Sequence, residues 1–117
     1  MTTLIEDLQA VLNPLVAGGC WYQVNTAQPP VFPYIVFLDV VSSTNVTFKG
    51  PSDLQNSRIQ IDVYSPTASA TINAAKAIDA AMQASALNNV PISSQGFYES
   101  DVKLFRQLRE YSVWSTN

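Results

Sequence analysis

The chain has 117 residues, with nine acidic and six basic side chains, a net charge of −3, one cysteine and no histidine. That length reads as one domain spanning 1–117, and 47% apolar residues suffice for one small core. The scattered basic residues form no phosphate-neutralising stripe, which excludes sequence-independent DNA binding, and the lack of histidine removes the commonest general base, the Ser-His and Cys-His pairs and the imidazole metal ligand.

No apolar run approaches the roughly 20 residues of a membrane-spanning helix. Met1-Thr2-Thr3 lacks a basic n-region and does not read as a signal peptide. Cys20 has no partner for an internal disulfide, which suits a reducing cytoplasm, and no second cysteine for zinc. As a nucleophile it would need an electropositive setting; a small buried thiol is the simpler reading.

Residues 3–16 read as an amphipathic helix, with Leu4, Ile5, Leu8, Val11, Leu12 and Leu15 at helical spacing. Thr3 and Glu6 have capping-box spacing, Pro14 disturbs the last turn, and Gly18-Gly19 ends the helix. Cys20-Trp21-Tyr22-Gln23 is short and strand-like. Residues 24–33, with Pro29, Pro30 and Pro33, form an extended, proline-stiffened loop.

The strongest strand covers 34–42 and carries Asp39 on the face of Ile35, Phe37 and Val41. The Ser/Thr/Asn-rich stretch 43–56 reads partly as a hairpin extension through Val46 and Phe48, and otherwise as a long, mobile, functional loop. Residues 58–64 alternate, with Ile59, Ile61 and Val63 inward and Arg58, Gln60 and Asp62 outward. Thr67 or Ser69 caps an alanine-rich helix over 68–86, with a stripe of Ile72, Ala75, Ile78, Ala81 and Met82 and its end at Asn88-Asn89. Residues 90–99 give a strand with an interruption near Gly96. Residues 103–114 give a final strand with Phe105, Tyr111 and Val113 on one face and Leu104, Leu108 and Trp114 on the other. One of those faces is expected against another subunit, unless a bulge switches sides.

Few residues invite a chemical role. Glu99 and Asp101 share a strand face and could form an acid pair or a cation site; a solvated turn is the simpler reading. Asp39 is read as buried with a raised pKa, or, more simply, as facing solvent or paired with Arg58 or Lys49. Gly18-Gly19 and Gly50-Pro51-Ser52 lack the glycine spacing of a phosphate cradle. Trp21, Tyr22 and Trp114 are either core or interface anchors. Lys103, Arg106 and Arg109 share the last strand with Phe105 and Tyr111, a faint signal that intersubunit salt bridges explain as well as base stacking.

Pro33-Tyr34-Ile35-Val36, Gly50-Pro51, the run Arg58-Ile59-Gln60-Ile61-Asp62-Val63-Tyr64, the alanine-rich helix and Arg109-Glu110-Tyr111-Ser112-Val113-Trp114 give a pattern spread over the whole chain. This pattern resembles the tail-completion, or tail-terminator, proteins of tailed bacteriophages. The resemblance implies an α+β fold: two main helices packed on a mostly antiparallel β-sheet, with an extended loop or hairpin. It implies a non-enzymatic virion protein at the head–tail junction, or neck, made in the bacterial host cytoplasm. Such a protein caps the tail tube as a homo-oligomeric ring, a hexamer, and docks the head connector. Its partners would be itself, the tail-tube protein and the connector or head-closure protein, with DNA passing through the lumen without sequence-specific binding and with no membrane; the acidic balance of this chain adds the expectation of an acidic lumen that repels DNA. No catalytic, metal or cofactor residues are implied.

The expected assembly surface is the pair of loops 24–33 and 43–56 on one ring face, with the final strand and the 34–42 hairpin pairing subunits. Its candidate residues are Pro29, Pro30, Phe32, Asn45, Phe48, Lys49, Asp53, Arg106 and Arg109. The alternatives are a neighbouring head-closure or tail-tube ring protein, a small-molecule-binding α+β module, or a minimal acid/base enzyme using Asp39 or Glu99 and Asp101.

Overall fold

A computed structural model describes residues 4–27, 29–47 and 50–116; of these, 41–55, 115 and 116 are described by their backbone. The fold is α+β. Helix α1 spans Leu4–Leu12 and gives way to a 3-10 turn at Asn13–Leu15, where Pro14 removes a donor and stops the α-helix early. Leu8 and Leu12 are fully buried, and Leu4, Ile5, Val11 and Leu15 pack around them, as the spacing predicts. The proposed capping box falls on Thr3, outside the described residues. Gly19 adopts φ +72, and its N–H bonds back to Val16 O at 3.2 Å, turning the chain into β1 (Cys20–Tyr22).

Strand β1 runs parallel to β2 (Tyr34–Thr47), with Cys20 beside Ile35 and Tyr22 beside Phe37. The intervening 23–33 segment contains no helix or strand among its described residues and ends in a cis Phe32–Pro33 bond. Strands β2 and β3 (Gly50–Ser65) pair antiparallel from Tyr34 opposite Tyr64 out to Thr47 opposite Gly50. The mobile loop expected over 43–56 is therefore strand over 43–47 and 50–56. The ladder is made by backbone groups, so a Ser/Thr/Asn-rich composition does not prevent it. Residues 48 and 49 lie outside the described residues.

Helix α2 spans Ala68–Ala84. Thr67 is its N-cap by position, yet its side chain makes no capping bond; Ser65 Oγ accepts the Thr67 N–H instead, at 3.4 Å. The buried stripe is Thr71, Ala74, Ala75, Ile78 and Met82, so it is rotated from the expected one, and Ile72 is exposed. Alanines permit this because several of them fit either side of the stripe. The helix ends at Ser85, before the asparagines, and Asn89 Nδ2 caps the Met82 carbonyl from β4 at 2.9 Å.

Strands β4 (Asn88–Glu99) and β5 (Leu104–Thr116) complete one sheet in the order β1-β2-β3-β5-β4. All pairs except β1–β2 are antiparallel. The irregularity in β4 lies at Ile92, between Pro91 and Ser93, and not near Gly96. Both helices cover one face, where Ile35, Phe37, Ile59, Ile61, Val63, Tyr111 and Val113 meet Leu8, Leu12, Ile78 and Met82. Each such fully buried aliphatic contributes about 1.5–3 kcal/mol.

Candidate assembly interface

The face of the sheet away from the helices has no layer packed on it among the described residues. Alternation along β2, β3 and β5 sends Tyr34, Asp62, Tyr64, Arg106 and Leu108 there. One row crosses four strands: Tyr34 opposite Tyr64, Tyr64 opposite Arg106, and Arg106 opposite Phe97. The Tyr34 and Tyr64 rings stack at 5.2 Å, and Phe32 extends the row at 5.6 Å from Tyr34. The Arg106 guanidinium lies 5.1 Å from the Phe97 ring centroid and 6.0 Å from that of Tyr64.

Asp62 is only 3% exposed, although alternation alone reads it as an outward residue. Its carboxylate accepts from Arg106 Nε at 2.9 Å and from Gln60 Nε2 at 2.9 Å, and Arg106 reaches Glu99 at 3.1 Å with its other arm. Outward here means into a second, polar-aromatic cluster. Burial raises the Tyr64 phenol pKa, with the Arg106 charge partly opposing it. The Arg106 pKa is raised, although burial, the largest influence, lowers it; the hydrogen bond that Arg106 donates to Asp62 opposes that first, and the one to Glu99 adds to it. Glu99 is thus an ion-pair partner, whereas Asp101 sits exposed in the following turn. No cluster of three acidic, cysteine or histidine ligands occurs among the described residues.

The candidate residues divide into separate places. Phe32 and Arg106 belong to the same aromatic row, with exposed Pro29 and Pro30 in the loop that precedes it. Asn45 and Asp53 lie at the far end of β2 and β3, and of their side chains nothing is described. Phe48 and Lys49 are outside the described residues. Strand β2 has 14 residues, about 45 Å of extended backbone, so loop 24–33 and the 45–53 region are at opposite ends of a molecule 51 Å long. Arg109 is on the helix face. Its Nε is 3.2 Å from the Asp79 carboxylate, which also accepts from the Tyr111 hydroxyl. These three side chains help line a cleft of about 740 Å³ together with Asn88, Asn89, Pro91 and Ile92. Burial and the bond to Asp79 raise the Tyr111 pKa.

The remaining singled-out residues make local contacts. Asp39 is exposed and accepts from Tyr22 Oη at 2.5 Å, and makes no ion pair with Arg58, which instead meets Glu110 at 3.3 Å. Trp21 is half-buried with Nε1 bonded to Gly18 O at 3.0 Å, and Trp114 is half-buried on the uncovered face. Cys20 is 3% exposed, and burial pushes its thiol pKa up to about 11. Burial of this kind keeps the thiol protonated and takes away the thiolate that makes a cysteine reactive. No helix among the described residues is long and apolar enough to cross a membrane.

The 34–42 strand keeps a free edge, as pairing between subunits needs, whereas the final strand, expected to pair subunits as well, is interior: β5 has β3 on one side and β4 on the other. Strand β1 pairs only with residues 35–37 of β2, so from Leu38 onward the outer edge of β2 has no neighbouring strand among the described residues. Strand β4 closes the opposite edge. A 14-residue strand flanked by a three-residue partner is the signal, and it emerges only once the pairing is known.

A search among curated proteins finds no match. A family model described as Tail completion protein gp17 matches residues 6–116, from within α1 to the end of β5. The chain therefore belongs to the tail completion protein gp17 family, whose members are structural proteins of the bacteriophage tail.

Proposed function

We propose that this chain caps the phage tail tube and joins the tail to the head connector, acting as a homo-oligomeric ring, a hexamer, at the head–tail junction. Family membership over residues 6–116 carries this reading. The geometry supports it in one respect: the two candidate contact segments, expected together on one ring face, lie instead at opposite ends of a 51 Å axis, which suits a spacer between two different partners. One end has the Pro29-Pro30 loop and the Phe32–Arg106 row; the other has the far ends of β2 and β3. In this reading the two segments serve different partners, the tail-tube protein and the connector or head-closure protein. The role is surface complementarity without catalysis. DNA passes through the lumen without sequence-specific contacts, eased by an acidic wall.

The test is a phage lacking this chain. Electron microscopy should show filled heads separated from tails, with tails of uncontrolled length. Tails of normal length would remove the capping role, and attached tails would remove the joining role. Antibody label confined to the head–tail junction completes the assignment, whereas label along the tube would make the chain a tube protein. Charge-neutralising substitutions on the lumen wall should alter ejection kinetics; unchanged kinetics would remove the electrostatic part.

A further inference from the structure

We propose that the cleft between α2 and β4 receives the shoulder of β2 from a second copy of this chain, Asp39 of one subunit facing Lys76 of the next and Val40 covering Ile92. The inference deepens the ring reading and rests on it for closure, though not for the contact itself.

Position is the first argument. Strand β1 stops beside Phe37, so β2 has a free shoulder from Leu38 onward among the described residues. The cleft is lined on its β4 side by residues between Asn88 and Ser94. Followed across β5 and β3, Asn88 lies level with Ser43 of β2, and Ser94 level with Phe37. Cleft and shoulder thus occupy the same rows at opposite sides of the molecule. A neighbour set alongside in the same orientation brings one against the other, with its β1 at the margin of the cleft. The contact is between side chains, because Pro91 and the bulge at Ile92 interrupt the β4 edge as a site for further strand pairing. Two dissimilar surfaces on one chain are what a heterologous, ring-forming contact requires.

Charge is the second argument. Residues 4–47, which carry α1, β1 and β2, contain Glu6, Asp7 and Asp39 and no lysine or arginine. Asp39 is exposed on the helix-side face of the sheet, level with Ile59, and its Oδ1 accepts the Tyr22 hydroxyl. Lys76, Asp79 and Gln83 follow one another at helical spacing on the side of α2 that borders the cleft. Asp79 is matched by Arg109 at 3.2 Å, so those two charges cancel. Lys76 is exposed and makes no ion pair among the described residues, which leaves a cation at the rim. An anionic shoulder and a cation-rimmed cleft complement each other.

The exposed apolar surface is the third. Among the side chains described, Val24, Val31 and Val40 stand exposed on β2 or the loop before it. Val90, Ile92, Tyr98 and Val102 do so on β4 or the turn after it, and Ile72 shares the Lys76 side of α2. No large hydrophobic side chain stands exposed on β3 or β5 among them. Val40 is 47% exposed and Ile92 43%, and each would cover the other. A lateral side of a body measuring 51 × 26 × 26 Å has room for the roughly 800 Å² per partner of a stable interface. The occupant is accordingly a second copy of this chain.

The experiment mixes two charge reversals made in the full chain, Asp39→Lys and Lys76→Glu, and reads assembly by native mass spectrometry, free and on tail tubes lacking this protein. Each variant alone sets like charges against one another at every junction. Its association constant should fall at least about tenfold, with the melting temperature of the monomer unchanged because both sites are exposed. In an equimolar mixture the two should co-assemble in alternation, since every junction then pairs opposite charges. Closed mixed oligomers with an even number of subunits support both the contact and the ring. Mixed open filaments support the contact and overturn the ring. Oligomers of wild-type strength from each variant alone, or no recovery when the two folded variants are mixed, overturn the contact and leave the ring standing. A wild-type chain that stays monomeric under every condition overturns both. As a second variant, Ile92→Glu adds a charge of the same sign as Asp39 to the cleft. It should weaken association by the same order at an unchanged melting temperature; association of wild-type strength would overturn the proposal.

Discussion

Arg106 Nε lies 2.9 Å from Oδ1 of Asp62, joining a buried carboxylate of β3 to a half-buried guanidinium of β5 across the uncovered face of the sheet. The two are diagonal neighbours, since Arg106 sits opposite Tyr64 and Asp62 opposite Leu108. Removing Arg106 leaves the Asp62 carboxylate with the Gln60 amide and with water entering from the uncovered face. Arg106→Ala should therefore cost about 1–3 kcal/mol. Replacing both, as Arg106→Met with Asp62→Leu, should recover most of that loss, and denaturant unfolding of the three variants gives the coupling directly. A small, additive loss would show that the cluster is not a unit.

Gly18 is held by sterics. A Cβ there would fall 2.0 Å from Val31 O and 2.7 Å from Pro33 O, both backbone atoms, and Gly18 N–H bonds Pro33 O at 2.8 Å. Gly18→Ala must push the 24–33 loop off the start of β2. The expected cost is about 3 kcal/mol, seen as a fall in melting temperature of roughly 10 °C. Since Phe32 lies in the displaced loop, tube capping should fall as well, in an assay of tail length.

Lys103 closes the β4–β5 turn with φ +56. A side chain in the left-handed region costs roughly 1–2 kcal/mol, more than the entropy a glycine loses on folding. Lys103→Gly should raise stability by up to about 1 kcal/mol, read from the midpoint of urea unfolding.

Cys20 should be inert to thiol reagents in the native protein at pH 8 and react fully after unfolding. The same burial sets a pH dependence. A thiol pKa raised in the folded state, from 9.0 to about 11, favours folding fully below the unfolded value, and that contribution is lost as pH rises toward about 11. The raised phenol pKa values of Tyr34, Tyr64 and Tyr111 act in the same direction at higher pH. Stability should therefore decline steadily above pH 9, and Cys20→Ala should flatten the first part of that decline.

Much of the fold is legible in residue spacing. The α1 stripe and the buried Ile59, Ile61 and Val63 follow directly from periods of 3.6 and 2. The failures have physical causes. The alanine-rich α2 offers several equivalent stripes, so spacing does not decide which one faces the sheet. Residues 43–47 have Val46 as their one apolar side chain, so the sequence there shows too little alternation to separate a strand from a loop. Asp62 reads as solvent-facing because alternation assigns a face and says nothing of what else occupies it; Arg106, 44 positions away, does. The candidate site was legible as residue types and not as a place. Pro29, Pro30, Phe32 and Arg106 gather at one end, while Asn45 and Asp53 lie at the other, a separation visible only from strand pairing.

The strand order also sets a timetable. Strand β5 follows the other four in chain order, yet it lies between β3 and β4. Until residues 104–116 have been synthesised, β3 has β2 alone for a neighbour and β4 has none. The growing polypeptide thus holds both halves of its sheet apart, and chains cut short ahead of β5 should be cleared by host proteases before any can enter a particle.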